Sequence, residues 1–402
     1  MDDAQRVGVV GPLEAYAAGF AAELTRLGYT VFSARLQLGV AAHLSRWLAG
    51  EGLDASMLTA AVVAQFLVVR RGAGYTAYRS PKGLSPLLGY LRGLGVAPLP
   101  VPAVPQGPVE VLLERYRSYL VGERGLGAPT ARGYVDLVRP FVVGRVRADG
   151  VDVAGLSAAD VVGFVLAISG ERTPKMAQRT VSGLRSLLRF CHVEGLLGAP
   201  LAAAVPSVAN RRAGLPRFLE PAQVESLLAS CDRSGVAGRR DFAMMTMMVR
   251  LGLRAGEVAA LGLGDIDWRR GEITVVGKGP RSERLPLPAD VGAAVADYLR
   301  HARPEGALDR CVFVRVKAPH RGLTPGGVTH AVIAAGGRAG LGPLTAHRLR
   351  HTAATAMLRA GAPLAQVGQV LRHRRALTTA AYAKVDRDTL RTLARPWPGG
   401  AA

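Results

Sequence analysis

The chain is short of cysteine, of acidic side chains and of aromatic rings. Among 402 residues there are three cysteines, Cys191, Cys231 and Cys311, far apart and with no Cys-x-x-Cys spacing. That excludes a disulfide framework and a cysteine zinc site, and it points to a reducing compartment. No apolar run approaches the roughly 18–20 residues that a membrane helix needs. The opening Met1-Asp-Asp-Ala-Gln5 is acidic and lacks the basic start of a signal peptide. These absences predict a soluble, cytoplasmic protein. Acidic residues number 30 against 51 lysines and arginines, a net charge of +21. An acidic enzyme or a disordered acidic tail is thereby excluded, and a polyanion is the expected partner.

The charge is unevenly spread. Residues 1–107 carry 9 basic and 6 acidic side chains, residues 108–206 carry 12 and 9, and residues 207–402 carry 30 and 15. A polyanion should therefore be gripped mainly by the C-terminal half. With 49% hydrophobic residues, the chain can also bury a large core in two or three domains.

The first two thirds read as helical. Leu13–Leu27 and Ala34–Leu48 repeat apolar residues at i, i+3, i+4, and a third helix is expected over Ala55–Arg70. Prolines between Ala97 and Pro108 cannot continue a helix, so residues 98–107 read as a semi-rigid linker. A repeat spans this linker. Leu58-Thr-Ala-Ala-Val-Val-Ala-Gln-Phe66 matches Leu156-Ser-Ala-Ala-Asp-Val-Val-Gly-Phe164, and Leu87-Leu-Gly-Tyr90 matches Leu187-Leu-Arg-Phe190, at offsets of 98 and 100. Two tandem helical modules are expected, residues 1–97 and 108–206. A basic, proline-bearing segment over 207–219 then leads to a third domain, 220–402.

That domain changes character. Glu220-Pro221 starts a helix, and helices are expected over Arg240–Leu251 and Ala255–Leu261. Two β-rich runs, Glu272–Val276 and Arg284–Leu287, flank Gly277-Lys278-Gly279-Pro280 and read as a hairpin. Val312–Val316 is a candidate third strand. The fold class is mainly α with a small antiparallel β-sheet.

Four segments of this domain carry chemistry. Arg254 follows a glycine and opens a helix, where free N–H groups and the dipole attract anions; its fork suits phosphate, and Glu257 one turn on is the competing partner. Lys278 sits at the hairpin tip, either solvated or delivered to a substrate. Leu344-Thr-Ala-His347-Arg-Leu-Arg350-His-Thr-Ala-Ala-Thr355 puts His347 and Arg350 three apart on a helix, beside Arg348 and His351. Arg350, opening an apolar run, needs an anion from protein or ligand if buried. Leu371-Arg-His373 precedes Tyr382 by a short, basic stretch.

Taken in order, Arg254, Lys278, His347, Arg350, His373 and Tyr382 reproduce the Arg…Lys…His-x-x-Arg…His…Tyr pattern. The domain thereby resembles the catalytic domain of the tyrosine recombinases, the phage integrase family. The nine-residue step from His373 to Tyr382, the Leu349-Arg-His-Thr-Ala-Ala-Thr355 run and Gly264-Asp-Ile-Asp-Trp268 strengthen the likeness. The resemblance implies site-specific cutting and rejoining of duplex DNA for a mobile element, through a 3′-phosphotyrosine. Tyr382 would be the nucleophile and Lys278 the general acid, with no cofactor and no metal. It also implies a helical core-binding domain over 108–206, a tetramer on an inverted-repeat site, and a C-terminal helix over Asp386–Arg395. Sister recombinases or DNA-bending proteins are further implied partners. Arg132, Lys175, Arg179, Arg185, Arg211, Arg212, Arg281 and Arg284 are candidate DNA contacts. A type IB topoisomerase-like relaxase and a DNA-binding regulator that has kept the fold are the alternatives. One departure stands out: the family usually has Leu-Gly-His before the second histidine, and Arg372 replaces the glycine. If that position needs a positive φ, Arg372 is strained by about 1 kcal/mol; a phosphate contact is the other use for it.

Overall fold

The computed structural model describes residues 8–101, 104–209, 217–277, 282–307, 309–372 and 379. It divides into two compact units, Val101–Gly214 and Met1–Pro100 together with Leu215–Ala402. Its character is mainly helical, with two small antiparallel sheets. Among the described residues, no helix is long and apolar enough to cross a membrane.

The chain starts with four helices, α1 (Glu14–Arg26), α2 (Val31–Gly50), α3 (Ala60–Gly72) and α4 (Pro81–Gly93). They enclose a core of their own that includes Phe20, Leu24, Leu44, Phe66 and Leu91. The helix expected from Ala55 is interrupted. Asp54 caps a short 3-10 turn over Ala55–Met57, and Thr59 then accepts from the Val62 amide at 3.3 Å to start α3. Two side-chain caps within six residues compete with a continuous helix.

In Val101–Gly214 four more helices follow: α5 (Gly107–Gly122), α6 (Ala128–Val143), α7 (Ala158–Glu171) and α8 (Pro174–Val193). A two-stranded ribbon of β1 (Val146–Arg147) and β2 (Gly150–Val151) lies between α6 and α7. The two sets of helices pair in the same order. The first packs on the second, the fourth packs on all three others, and Thr59 and Ser157 cap the third helix at an offset of 98. Tyr116 lies fully buried in the second core and donates to the Gly183 carbonyl at 3.2 Å. A side chain at Gly183 would meet Val138 at 3.3 Å, so glycine there lets α6 and α8 approach closely.

The C-terminal half is built around α10 (Val236–Leu251), preceded by α9 (Pro221–Ala229) and followed by α11 (Ala255–Ala260). Met244, Met245, Met247 and Met248 are all fully buried, as expected of a helix that is apolar nearly all round. β3 (Ile266–Asp267), β4 (Glu272–Val276) and β5 (Ser282–Pro286) form an antiparallel sheet in that order. Ile273, Val275 and Leu285 point into the core, so the strands follow the two-residue alternation. The third strand is therefore Ile266–Asp267. The Val312–Val316 run instead makes a single bridge from Val314 to Gly322, and Val312, Phe313 and Val314 are buried as core filling. A continuous apolar run marks burial but not strand pairing. α12 (Ala289–His301), α13 (Pro325–Arg338), α14 (Ala346–Arg359) and α15 (Leu364–Val370) complete the half. The helix expected over Asp386–Arg395 lies outside the described residues.

Candidate active site

The site begins with how α10 stops. Gly252 caps it in a left-handed conformation, φ +61, with its amide donating to the Met248 carbonyl. A Cβ there would lie 2.5 Å from a Leu371 methyl, so both the backbone and the packing demand glycine. Two residues later Arg254 opens α11. That short helix start is already occupied by a carboxylate. Glu257 accepts from the Arg254 amide at 2.8 Å and from its guanidinium at 2.6 Å.

Glu257 also serves a second arginine. Arg372 Nη2 donates to its Oε2 at 2.7 Å, and both of these side chains are only 4% exposed. Burial would push the Glu257 carboxyl up; the Arg254 amide and the two guanidinia outweigh that and hold it below its usual value. Arg372 has φ +55, the left-handed region where the family's glycine would sit without strain. The strain is offset by the buried ion pair and by a bond from Nη1 to the Val370 carbonyl at 2.9 Å. The residue that departs from the family pattern is thus tied to the acid that orients Arg254.

Arg350 projects from α14 and is 1% exposed, the largest of the fully buried side chains. Its Nη1 donates to the Gly252 carbonyl at 2.6 Å and its Nη2 to the Leu371 carbonyl. Both carbonyls close helices, α10 and α15, where the dipole is negative. Helix ends therefore supply part of the negative charge that burial of Arg350 requires. Arg254 Nη2 lies 3.5 Å from the neighbouring Arg372 carbonyl, and the Arg254 side chain is 41% exposed. Two guanidinia from different helices converge on one turn, Leu371–Arg372, immediately ahead of His373.

His347 and Arg350, though three apart, differ in exposure: His347 is exposed and Arg350 buried. The His347 ring meets His351 edge-on, 4.3 Å between centroids. Burial, with His347 and Arg350 adding like charge, holds the His351 imidazole down to about 4, so it is neutral near pH 7. Arg348 donates to the Phe218 carbonyl, and Thr352 accepts from the Leu219 amide at 2.9 Å, which anchors the incoming chain on α14. Thr379 is buried, and a Cβ on Gly368 of α15 would lie 2.9 Å from its hydroxyl, so Thr379 lies against α15. Lys278, His373 and Tyr382 lie outside the described residues, as do Arg211, Arg212 and Arg281.

The remaining DNA-contact candidates divide. Arg132, Lys175 and Arg179 are exposed, and Arg179 reaches over Gly133 beside Arg132, so α6 and α8 present cations together. Arg185 is half-buried and donates to the Val205 carbonyl at 2.8 Å and the Ser207 hydroxyl at 3.1 Å, a tie within its own module. Arg284 is exposed on β5, 4.0 Å from Glu272. Among the described residues no cluster of His, Cys, Asp and Glu is arranged to hold a metal ion. The role of Arg372 was not legible in the sequence, since its partner lies 115 positions away; the signal was the missing glycine.

The phage integrase family model matches residues 217–388, which contain this turn and every residue of the six-part pattern. A Sinorhizobium fredii protein, "Putative integrase/recombinase y4rA", is 40% identical over 402 residues, spanning 97% of this chain and 96% of its own. The chain belongs to the phage integrase family, the tyrosine recombinases. Tyrosine recombinase XerD of Listeria monocytogenes is 32% identical over 279 residues, 68% of this chain and 94% of its own. Among solved structures, a XerH site-specific recombinase bound to difH substrate matches with TM-score 0.57, at 18% identity over 75% of this chain and 99% of that one. A lambda integrase tetramer bound to a Holliday junction matches with TM-score 0.56, at 16% identity over 81% and 92%. At those identities the two structures establish the recombinase fold.

Proposed function

We propose that this tyrosine recombinase cuts and rejoins duplex DNA at a specific site of a mobile element. The observation that carries the reading is the convergence of Arg254 and Arg350 on the Leu371–Arg372 turn. Phosphoryl transfer demands stabilisation of charge on the non-bridging oxygens, and preorganised guanidinia supply it without reorganisation. Arg350 is the fixed member, held by two carbonyls. Arg254 is the open member, free to turn its exposed edge to a phosphate.

In this reading Tyr382 attacks the phosphorus. Its phenol has a reference pKa near 10, so it needs neighbouring cations and a base, for which His347 is the candidate. The Tyr382 oxygen–phosphorus bond forms as the bond from phosphorus to the 5′ oxygen breaks, and Lys278 gives its proton to that oxygen. His373 donates to a non-bridging oxygen. Attack by another 5′-hydroxyl reverses the step and exchanges strands, with no external energy source. Residues 108–206, through Arg132, Lys175 and Arg179, would grip the duplex as a core-binding domain. Residues 1–97 would form a second, related module, and the tail beyond Asp386 would link copies into a tetramer in the cytoplasm.

The test is incubation of the full chain with a nicked duplex carrying the terminal repeats of the element that encodes it. A covalent protein–DNA band in the native protein that vanishes in Tyr382→Phe is the expected result. Tight binding with no band in either protein would overturn the nucleophile assignment and favour a regulator.

A further inference from the structure

Within the unit formed by Met1–Pro100 and Leu215–Ala402, the first four-helix module faces the 315–321 turn of the C-terminal half. The contact is close: a Cβ on Gly28 would lie 2.4 Å from the His320 ring. Beside it opens a cleft of about 850 Å³. Arg79 and Lys82 line it from the first module, Arg315 and Arg321 from the turn. All four are exposed, and among the described residues no acidic side chain forms an ion pair with any of them. Its carboxylates already have partners of their own. Glu23 is held by Arg26 at 2.6 Å, and Asp309 Oδ2 accepts from the Gly322 amide at 2.5 Å.

Three tyrosines, Tyr29, Tyr78 and Tyr90, also line it, each half-buried, packed on one side against the core of the first module and open to the cleft on the other. Burial pushes the Tyr29 hydroxyl up, while nearby Arg315 and Arg321 pull it the other way. Tyr78 is held at φ +55, and a Cβ on Gly83 would lie 3.0 Å from it, so its backbone is locked over α4. We infer that this cleft is a second nucleic-acid site, one that takes a short single-stranded DNA segment. Unpaired cations track a phosphodiester backbone, and aromatic faces between them accept unstacked bases. The volume falls in the range of about 300–1,000 Å³ that holds small ligands, too small to enclose a duplex. That the strand is DNA rests on the function proposed above; the match of cations and rings to an unpaired strand does not.

The test uses the full chain and a fluorescein-labelled oligothymidylate, about a dozen nucleotides long. Anisotropy titrations over a salt series should show that Arg79→Glu/Arg315→Glu weakens binding about tenfold or more. The logarithmic salt slope should fall by about 0.7 for each cation removed. The neutral pair Arg79→Gln/Arg315→Gln should show a smaller loss in the same direction, which guards against misfolding of the reversed variant. Arg300→Glu on α12, outside the cleft, serves as the charge control. Crosslinking with an iodouracil-substituted strand should label peptides containing Tyr29, Tyr78 or Tyr90. Binding that falls equally in the control, or crosslinks confined to other segments, would overturn the assignment. Neither readout depends on DNA cleavage, so a failed covalent-capture experiment would leave this test intact.

Discussion

The helical modules and the C-terminal half keep their shapes by different means. In α1–α4 and α5–α8 the buried residues are mostly apolar; the buried charge there, Arg70 of α3, bonds to the neutral Ala77 carbonyl and the His43 ring, and ion pairs such as Arg26–Glu23 and Arg115–Glu194 lie at the surface. The C-terminal half buries charge: Arg350, Glu257, Arg372 and the Arg240–Asp241 pair. Apolar packing tolerates change in proportion to the area lost. A buried ion pair does not, since removing one partner leaves the other uncompensated. The half that houses the proposed chemistry is therefore the half in which a single polar substitution should matter most.

The two modules also differ from each other where their fourth helices begin. Thr173 caps α8 and Pro174 occupies its first turn, so Lys175 and Arg179 ride on helix. In the first module the corresponding stretch, residues 73–80, is not helical, since Pro81 has no N–H to donate and lies at the helix start. That change of backbone carries Tyr78 and Arg79 into the cleft. One core pattern thus supports two surfaces.

The largest effect that would sharpen this contrast is expected from Glu257→Gln. It leaves Arg372 buried without its counter-charge and should cost about 3–5 kcal/mol in chemical denaturation. A loss below about 1 kcal/mol would erase the distinction between the halves, being what a surface pair gives. Next comes a matched pair across the repeat. Phe66 is fully buried and Phe164 only partly, although they are equivalent in sequence. Phe66→Ala should cost about 3–5 kcal/mol and Phe164→Ala distinctly less. Equal losses would mean that the two cores are built alike around this position and would remove the difference in burial.

A pH effect should appear in the C-terminal half. Burial holds the His351 imidazole at about 4 in the fold, below its ordinary value of 6.5. Its contribution to stability is full above pH 6.5 and is lost as pH falls through about 4, because the unfolded chain takes the proton first. His351→Gln should therefore lose less Tm than the native protein between pH 7 and pH 4. The smallest effect concerns the helix caps. Thr59→Ala and Ser157→Ala each remove the bond that starts the third helix of a module, and each should cost about 1 kcal/mol. A clear inequality between them would break the likeness of the modules at its most local point.

Much of this is legible in the residues, and where sequence and structure differ the reason is physical. Glu257 lies three residues from Arg254, within reach along one helix face, so their pairing could be anticipated. Periodicity alone predicts one helix over Ala55–Arg70, because apolar spacing continues across the Asp54 and Thr59 caps that interrupt it. Val312–Val316 looked like a strand because a buried apolar run has no period to distinguish pairing from filling. Ile266–Asp267, the actual third strand, is too short for any alternation to register.

Helix positions, caps, the hairpin, the uneven charge and the ordered pattern of the tyrosine recombinases are properties of sequence alone. They arise from interactions within a few residues, or from spacing along the chain. The burial of Arg350 against two helix ends, the shared use of Glu257 by Arg254 and Arg372, and the cleft at the 315–321 turn were decided only by tertiary structure. They join residues as far apart as Arg254 and Arg372, 118 positions, and Gly28 and His320, 292 positions, and whether a charge is buried, paired or open depends on which surfaces close over it.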